Sequence, residues 1–376
     1  MSDYVLDLWY MAAWEEEVEG EAMLARTLLD QPWLLMRRKD GSGYAMLGDR
    51  CPHRFAPLHK GERDGDTIHC PYHGLVFDAG GACIRNPFSD LIPPNARVRS
   101  LPVHARHGAL WFWPGDPAAA DPALIPDFSA LDEGTAPFVR GRTRFDADYE
   151  LITDNLMDLS HAEYLHRDTF RTEGKIFAGD YKVREDDDGA IWSLWNMRNT
   201  RRPAWLEALP EGTRLDEWLE MRWHAPASML LHIGFTLAGQ PRETSPVPPM
   251  VNPHILTPET RHSTHYFYTR APGEESAALA HRVFELEDRP MIEEIDRYVD
   301  GRDFWSMKPV VLHVDAGAVR ARRRLMQLRR KDPPRDGEVA ARSADGGFSP
   351  PGPKQAESVQ VSIPPPPRSP FGGGSQ

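Results

Sequence analysis

Two short segments each place a cysteine beside a histidine, and they constrain the fold more than any other feature. The first segment is Cys51-Pro52-His53 and the second is Cys70-Pro71-Tyr72-His73. Two thiolates and two imidazoles can hold zinc, the usual metal of a Cys2His2 site. A zinc finger, however, places its two cysteines together and its two histidines on one helix. Here each segment carries one ligand of each kind and is flanked by proline or glycine, which predicts two facing loops.

A Rieske-type [2Fe–2S] cluster suits this pairing better than zinc. In such a cluster two histidines replace two cysteines on one of the two irons. We expect Cys51 and Cys70 to bind one iron, and His53 and His73 to bind the other. The chain contains three cysteines in all, so chance is a poor explanation for two of them beside matching histidines. The third, Cys83, is expected to be a small buried residue without a role.

Composition excludes several classes of protein. A chain of 376 residues is long enough for two domains. Its formal net charge of -12 disfavours a nucleic-acid binder, which needs an excess of Lys and Arg, and equally a polybasic membrane anchor. We expect no signal peptide and no membrane span. Because two of the three cysteines are assigned to metal, no intrachain disulfide is expected, which favours a cytoplasmic location.

Short apolar segments separated by turn signals predict an antiparallel β domain over residues 1–116. The turn signals Asp40-Gly41-Ser42-Gly43 and Ala79-Gly80-Gly81 each predict a hairpin. Many short strands at close spacing indicate a small antiparallel sandwich. The predicted strands are residues 32–38, 44–47, 75–78, 82–84 and 109–113.

A second domain of the α+β class is predicted over residues 117–330, after a linker rich in Pro and Asp at 116–128. Its strands are expected at residues 139–149, 191–195, 220–224, 229–236 and 264–268. Its helices are expected at residues 154–167, 277–299 and 316–328. The segment 331–376 is rich in Pro and Gly and is expected to be disordered.

The segment 154–167 carries a second group of candidate ligands. His161 and His166 lie five residues apart, so an ideal helix would turn them away from each other. They can bind one metal only if the helix is distorted. Two histidines and one carboxylate with open positions form the site of non-haem Fe(II) oxygenases. The acidic stretch from Glu285 to Glu294 offers several carboxylates, and residue pattern alone does not choose among them; two unconnected histidines could equally be structural.

Together these motifs resemble those of Rieske non-haem iron oxygenases, specifically the large subunits of the vanillate and dicamba O-demethylase type. The likeness covers about residues 5–328 and implies that the second domain is helix-grip-like, with an antiparallel sheet and a mononuclear iron. The motifs that carry it are Trp9-Tyr10, the two cluster segments, Pro114-Gly115-Asp116-Pro117, the segment Asp154 to His166, and His254-Ile255-Leu256-Thr257-Pro258-Glu259-Thr260.

The resemblance also implies a ligand set and a quaternary structure. It selects Asp288 as the carboxylate that joins His161 and His166 on the iron. It implies a homotrimer in which the cluster of one subunit lies near the iron of the next. Asp158 would then link His161 to His73 of the partner subunit, as a carboxylate between two metal-bound imidazoles.

Four further positions gain roles from the resemblance. His254 matches a substrate-pocket histidine of the demethylase branch. Leu231 stands where the dicamba enzyme has a polar Asn, and His232 is either its replacement in the pocket or an ordinary strand residue. Asn155 matches a position near the iron but is not expected to be a ligand.

The function implied is that of the terminal oxygenase of a multicomponent monooxygenase. A reductase would take electrons from NAD(P)H through a flavin and pass them to the cluster, directly or through a ferredoxin. O2 and a small aromatic substrate would meet at the iron, and O-demethylation of a methoxylated compound with release of formaldehyde is the expected reaction. Ring dihydroxylation, N-demethylation and methyl hydroxylation use the same parts. A pure electron-transfer protein would leave residues 117–328 unexplained.

Overall fold

Antiparallel strands form most of the regular secondary structure among the described residues. The computed structural model describes residues 4–132, 137–170, 172–203 and 206–331. The strands within these ranges are β1 Tyr10–Trp14, β2 Met23–Leu28, β3 Gln31–Arg37, β4 Tyr44–Gly48, β5 Glu62–Asp64, β6 Thr67–His69, β7 Val76–Phe77, β8 Cys83–Arg85, β9 Ser100–Leu101, β10 Val103–Arg106, β11 Ala109–Phe112, β12 Val139–Phe145, β13 Asp180–Glu185, β14 Ile191–Arg201, β15 Arg214–His224, β16 Ser228–Leu237, β17 Met250–Thr260 and β18 Ser263–Arg270.

The α-helices and the π-helix of the described residues all follow β12. The α-helices are α1 Tyr149–Met157, α2 Lys175–Ala178, α3 Glu274–His281, α4 Arg289–Val299 and α5 Ala316–Lys331, and a π-helix covers Arg282–Asp288. No helix among the described residues combines the length and the apolar composition needed to cross a bilayer. Apart from Lys331, which ends α5, the segment predicted to be disordered lies outside the described residues.

Three small sheets build the N-terminal part, with strand orders β1-β11-β10, β2-β3-β4-β9 and β5-β6-β7-β8. The first predicted hairpin is confirmed, because β3 and β4 pair antiparallel with Arg37 opposite Tyr44. The second is also confirmed, with a register irregularity where Phe77 pairs with Cys83. The first predicted cluster loop lies between β4 and β5, and the second joins β6 to β7.

One seven-stranded antiparallel sheet, ordered β12-β18-β17-β16-β15-β14-β13, forms the C-terminal part. Successive residues of a strand point to opposite faces. On one face Met229 packs with α1 and α5 in a core that includes Met157 and Leu325. On the other face Leu230 packs against the N-terminal part. The predicted α+β class is therefore confirmed.

The stretch predicted as a linker is packed into the structure. Ile125 and Phe128 are buried in a cluster with Trp111 of the first sheet and Phe267 of the large sheet. The Thr257 hydroxyl also donates to the Met11 carbonyl across 2.6 Å. Apolar packing and hydrogen bonds thus join the two parts, and residues 4–331 belong to one compact unit.

The helix expected over residues 154–167 has different bounds. Helix α1 begins after Asp148, whose carboxylate accepts the Glu150 N–H, and ends at Met157. Asp158 leaves the helical conformation and its carboxylate accepts the Ser160 N–H at 2.9 Å, which begins a short 3-10 turn over Leu159–Glu163. Aspartate favours such caps over helix interiors, so it ends one element and begins the next.

The long helix expected over residues 277–299 is interrupted. Helix α3 leads into the π-helix, which widens the turn before α4. Pro290 lies in the first turn of α4 and has no N–H for the carbonyl four residues earlier. The proline therefore favours a change of helical register directly before it, where Asp288 lies.

A buried ion-pair network fastens α5 to α1. Arg322 Nη2 lies 2.7 Å from Asp154 Oδ2, and Arg322 Nη1 lies 2.9 Å from Glu150 Oε2. The Arg322 side chain is only 9% exposed, so its loss would leave Asp154 without a cation and Glu150 with Arg329 alone.

Replacing Arg322 with Met should lower the free energy of unfolding by about 3–5 kcal/mol, because Asp154 loses its cation and Glu150 keeps only Arg329. The urea midpoint of the far-ultraviolet circular dichroism signal measures this loss. Arg323→Met, at an exposed position of the same helix, should change it little. Equal midpoints for the two variants would contradict the assigned role.

A buried histidine lies where the two parts meet. His265 Nε2 donates to the Thr27 carbonyl at 3.0 Å, and Arg142 faces its Nδ1. Burial, together with the guanidinium of Arg26, lowers the pKa of His265 to about 4. The neutral ring satisfies both neighbours, whereas a second ring proton would meet Arg142.

His265 should make stability depend on pH. Its folded-state pKa of about 4 lies below the ordinary value of 6.5, so its contribution is present above pH 6.5 and is lost as the pH falls toward 4. The slope is at most about 1.4 kcal/mol per pH unit. His265→Gln keeps an amide donor without a titrating group, so its unfolding free energy should fall less between pH 6.5 and 4.5 than that of the parent. Parallel profiles would contradict this.

Candidate metal centres and active site

The two cysteine loops share one backbone design. In each, the cysteine N–H donates to the carbonyl five residues later, and the N–H four residues later donates back to the cysteine carbonyl. The distances are 2.9 and 2.9 Å for the Cys51 loop and 2.8 and 3.1 Å for the Cys70 loop. The first loop follows β4 and the second joins β6 to β7. This repeat places the two cysteines in equivalent positions.

The repeat extends to a left-handed residue in each loop. Phe55 has φ 59° and Gly74 has φ 69°, each four residues after its cysteine. Glycine accepts this conformation easily, whereas a phenylalanine in it is unusual and is held by the surrounding loop. The resulting turns bring the rings of His53 and His73 to 4.5 Å between centroids.

The four side chains fit the cluster predicted from the sequence. Cys51 and Cys70 are buried, whereas His53 is exposed and His73 is half-buried. Burial raises the pKa of the Cys51 thiol to about 11, so this thiol ionises at neutral pH only when a metal replaces its proton. Buried sulfurs with two more exposed imidazoles suit a cluster whose histidine-ligated iron is nearer the surface.

A second group of ligands meets between α1 and the π-helix. One ligand atom from each of His161, His166 and Asp288 lies within 4.8 Å of the others. Asp288 Oδ1 lies 3.2 Å from His166 Nε2 and 3.8 Å from His161 Nε2. The amide of Asn155 donates to the same oxygen at 3.3 Å. Asn155 therefore contacts the same carboxylate oxygen that lies near the two histidines.

The break at Asp158 produces this convergence. Because α1 ends at Met157, His161 lies on the 3-10 turn and His166 on the irregular segment after it, and their ring centroids are 5.0 Å apart. His161 Nδ1 lies 2.5 Å from the Asp158 carbonyl oxygen, which turns Nε2 toward Asp288. The distortion that a shared metal requires is therefore present.

The environment of these groups suits a cation. Burial lowers the pKa of His161, which keeps its ring neutral and able to bind metal. For His166 burial acts in the same direction, but hydrogen bonds to Asp288 and Glu287 outweigh it and raise its pKa. Two imidazoles and one buried carboxylate form the donor set of a non-haem iron site.

The sheet face beside this group carries the candidate substrate pocket. His254 lies opposite Met229 in the β16–β17 pairing, so it shares a face with Met229 and Leu231. His254 Nδ1 lies 2.6 Å from the Tyr266 hydroxyl, and its Nε2 is buried without a protein partner. Burial lowers the pKa of His254 to about 4, so the ring is neutral at physiological pH. Phe284 of the π-helix packs across His254 and Tyr266.

His232 does not belong to this pocket. Alternation along β16 places it on the face opposite to Leu231, where its ring lies 5.5 Å from that of Trp192. The placement of His232 as a replacement polar group in the pocket is therefore wrong, and the ordinary-strand interpretation holds. Because Leu231 and His232 are adjacent in one strand, only one of them can lie on the face that carries His254.

Three residues of the site were not predicted from the sequence. Glu287 accepts from His166 Nδ1 at 2.7 Å, yet in the sequence it is one of several carboxylates between Glu285 and Glu294. Tyr266 and Phe284 were not singled out either. Alternation along β18 could have placed Tyr266 on the site face of the sheet. The positions of Phe284 and Glu287 depend on the π-helix, which the sequence did not predict.

Comparisons with known proteins agree with these two centres. A model of the Rieske [2Fe–2S] domain matches residues 8–101. A model of the vanillate O-demethylase oxygenase C-terminal domain matches residues 145–331. The oxygenase component of dicamba O-demethylase from Stenotrophomonas maltophilia is 38% identical over 342 residues, with coverage of 86% of this chain and 98% of the relative. The chain belongs to the Rieske non-haem iron oxygenase family.

Two further matches support this membership. The oxygenase component of chloroacetanilide N-alkylformylase from Rhizorhabdus wittichii is 35% identical, with coverage of 86% of this chain and 94% of the relative. The crystal structure of dicamba monooxygenase bound to 3,6-dichlorosalicylic acid matches with a TM-score of 0.78 and 37% identity, over 87% of this chain and 98% of that chain. The protein is thus the oxygenase component of a multicomponent Rieske monooxygenase, with a [2Fe–2S] cluster and a mononuclear non-haem iron as cofactors.

Proposed function

We propose that this oxygenase removes the methyl group of a methoxylated aromatic compound, vanillate-like or dicamba-like, and releases formaldehyde. The observation that carries the proposal is the convergence of His161, His166 and Asp288 near the sheet face that carries His254. Similarity over nearly the whole length of dicamba O-demethylase supports it.

The proposal assigns ligands to both centres. Cys51 and Cys70 would hold one iron of the cluster and His53 and His73 the other. The mononuclear iron would be held by the two histidines and the aspartate that converge between α1 and the π-helix. When bound, this iron supplies the activation of O2 for attack on a C–H bond, with electrons delivered through the cluster.

The reaction balances with one reductant. A methyl aryl ether, O2, two electrons and two protons give a hydroxymethyl aryl ether and water. The C–O bond of this hemiacetal then breaks, leaving the phenol and formaldehyde. A reductase partner would draw the electrons from NAD(P)H, and a ferredoxin could carry them. The protein contributes positioning of the substrate and exclusion of water.

His254 is assigned to orient the substrate. The Tyr266 hydroxyl has its hydrogen bond with His254 Nδ1, and a phenol donates this proton while the neutral imidazole accepts it. The remaining ring proton then lies on Nε2, which has no protein acceptor. An oxygen of the substrate, carboxylate or ether, would satisfy that donor, and Leu231 and Met229 would contact its ring.

A homotrimer is part of the proposal because exposed aromatic side chains form a rim: Tyr72 and Phe88 contact the His73 ring, and Phe55 lies on the Cys51 loop. Phe55 is 70% exposed, Tyr72 64% and Phe88 74%. Clustered apolar side chains of this size favour a protein contact over solvent. Near the mononuclear site Tyr164 is 75% exposed. A contact between the rim of one subunit and this surface of the next would bring the two centres together.

Asp158 would join the centres across that contact. Its backbone carbonyl already meets His161 Nδ1, and its side chain is half-buried. The proposed electron path therefore runs from His73 of the partner subunit through Asp158 to His161. We also propose a cytoplasmic location, where cysteine ligands are kept reduced.

N-dealkylation is the second candidate function. The similarity to the N-alkylformylase oxygenase, with the same coverage of this chain as the dicamba enzyme, favours it. Both reactions hydroxylate a carbon attached to a heteroatom, so the pocket described here serves either one.

A substrate screen separates these functions. The purified protein, an added NAD(P)H-dependent reductase and a panel of methoxybenzoates should give one formaldehyde and one phenol for each O2 consumed, whereas N-alkyl anilides in the same assay should give less. Asp288→Ala, which lacks the carboxylate ligand, should give neither product. Ring-dihydroxylated products without formaldehyde would overturn the demethylase assignment.

Asp158→Asn tests the electron path. The variant should keep the cluster spectrum and both iron contents but lose turnover by about 10–100-fold or more, because the amide is a poorer partner for two metal-bound imidazoles. Stopped-flow spectroscopy should show normal reduction of the cluster by the reductase and slow reoxidation with substrate and O2. Asp180→Asn, an exposed position of β13, is the matched control. Turnover at the parent rate in Asp158→Asn would contradict the path.

A further inference from the structure

Two consecutive acids face the two nitrogens of one imidazole. Asp288 Oδ1 lies 3.2 Å from Nε2 of His166, on the side of the mononuclear site. Glu287 Oε2 lies 2.7 Å from Nδ1 of the same ring, on the far side. The ring is held between them, with each acid on a different edge.

Glu287 is itself fixed by other side chains. The Thr169 hydroxyl donates to Glu287 Oε2 at 2.8 Å, and Arg282 Nε donates to Oε1 at 3.0 Å. The Glu287 side chain is only 12% exposed. Arg282 also reaches Asp168 at 3.3 Å, on the same segment as His166. These contacts join the histidine-bearing segment to the π-helix around one carboxylate.

The two histidines of the site therefore have different supports. His161 Nδ1 meets a backbone carbonyl, that of Asp158, which no substitution removes. His166 Nδ1 meets a carboxylate, which a substitution can remove. Histidine ligands of metals usually donate their second N–H to such a partner, which fixes the tautomer and the ring orientation.

We propose that Glu287 is a positioning residue for the mononuclear iron. It accepts the Nδ1 proton of His166, so the lone pair of Nε2 points to the metal, and Arg282 compensates its charge. The proposal rests on the ligand set assigned above. It predicts that Glu287 governs how firmly the iron is held without being a ligand itself.

The test compares Glu287→Ala and Glu287→Gln with Glu285→Ala. Glu285 lies on the same π-helix but pairs with Arg289 and Thr143, so it is a matched control. Each protein is loaded with Fe(II) without oxygen, and the loss of mononuclear iron to a chelator is followed. The absorbance of the [2Fe–2S] cluster in the same sample reports whether the chain is folded.

Glu287→Ala should weaken Fe(II) binding by about 10–100-fold while the cluster absorbance persists. The electron paramagnetic resonance signal of the nitric oxide adduct of the residual mononuclear iron should change shape, since the ring of His166 is no longer oriented. Glu287→Gln keeps an amide oxygen for the Nδ1 proton and should restore most of the binding. Glu285→Ala should match the parent in both measurements.

Parent-like iron retention and an unchanged nitric oxide signal in Glu287→Ala would overturn the proposal. If Glu287→Ala loses the cluster as well, Glu287→Gln provides the test. A folded Glu287→Gln variant that loses as much iron as Glu287→Ala would contradict positioning through the Nδ1 hydrogen bond. Asp288→Ala separates this outcome from a failure of the ligand set: if it retains mononuclear iron, the ligand assignment is wrong whatever Glu287 does.

Discussion

The active site depends on one helix end. The Asp158 carboxylate accepts the Ser160 N–H and begins a new turn, so α1 does not continue through the two histidines. In a continuous helix, His161 and His166 would lie on different sides and could not bind the same metal ion. The backbone carbonyl of the same residue orients His161. A single aspartate therefore provides local capping, ligand orientation and, in the proposed trimer, contact with the next subunit.

Ion pairs and apolar packing hold this helix end in place. The ion pairs of Arg322 with Asp154 and Glu150 fasten α1 to α5, and the apolar face of the large sheet packs beneath both helices. Metal ligands need positions accurate to a fraction of an ångström, which packed helices and strands provide better than loops. The candidate cluster ligands, in contrast, lie on loops whose paired hydrogen bonds and left-handed residues replace regular structure.

Local chemical patterns in the sequence predicted much of this architecture. Cysteine and histidine spacing identified the cluster loops, and glycine-rich turns located both hairpins. The bounds of α1 were wrong because apolar periodicity outweighed the capping preference of Asp148 and Asp158. The π-helix was unpredictable in detail, since it depends on Pro290 and on tertiary contacts of its acids. His232 was misplaced because a strand assignment without its register does not say which residues face the site.

Strand β16 combines two tasks in alternate residues. Met229 and Leu231 share the sheet face that carries His254, whereas Leu230 between them packs against the N-terminal part of the chain. In the proposed function, the residues that contact the substrate and the residues that form the junction between the parts would therefore alternate along one strand. A lineage of such enzymes could exchange every second side chain of β16 to accept new aromatic compounds while the junction, and the distance between its redox centres, stayed the same.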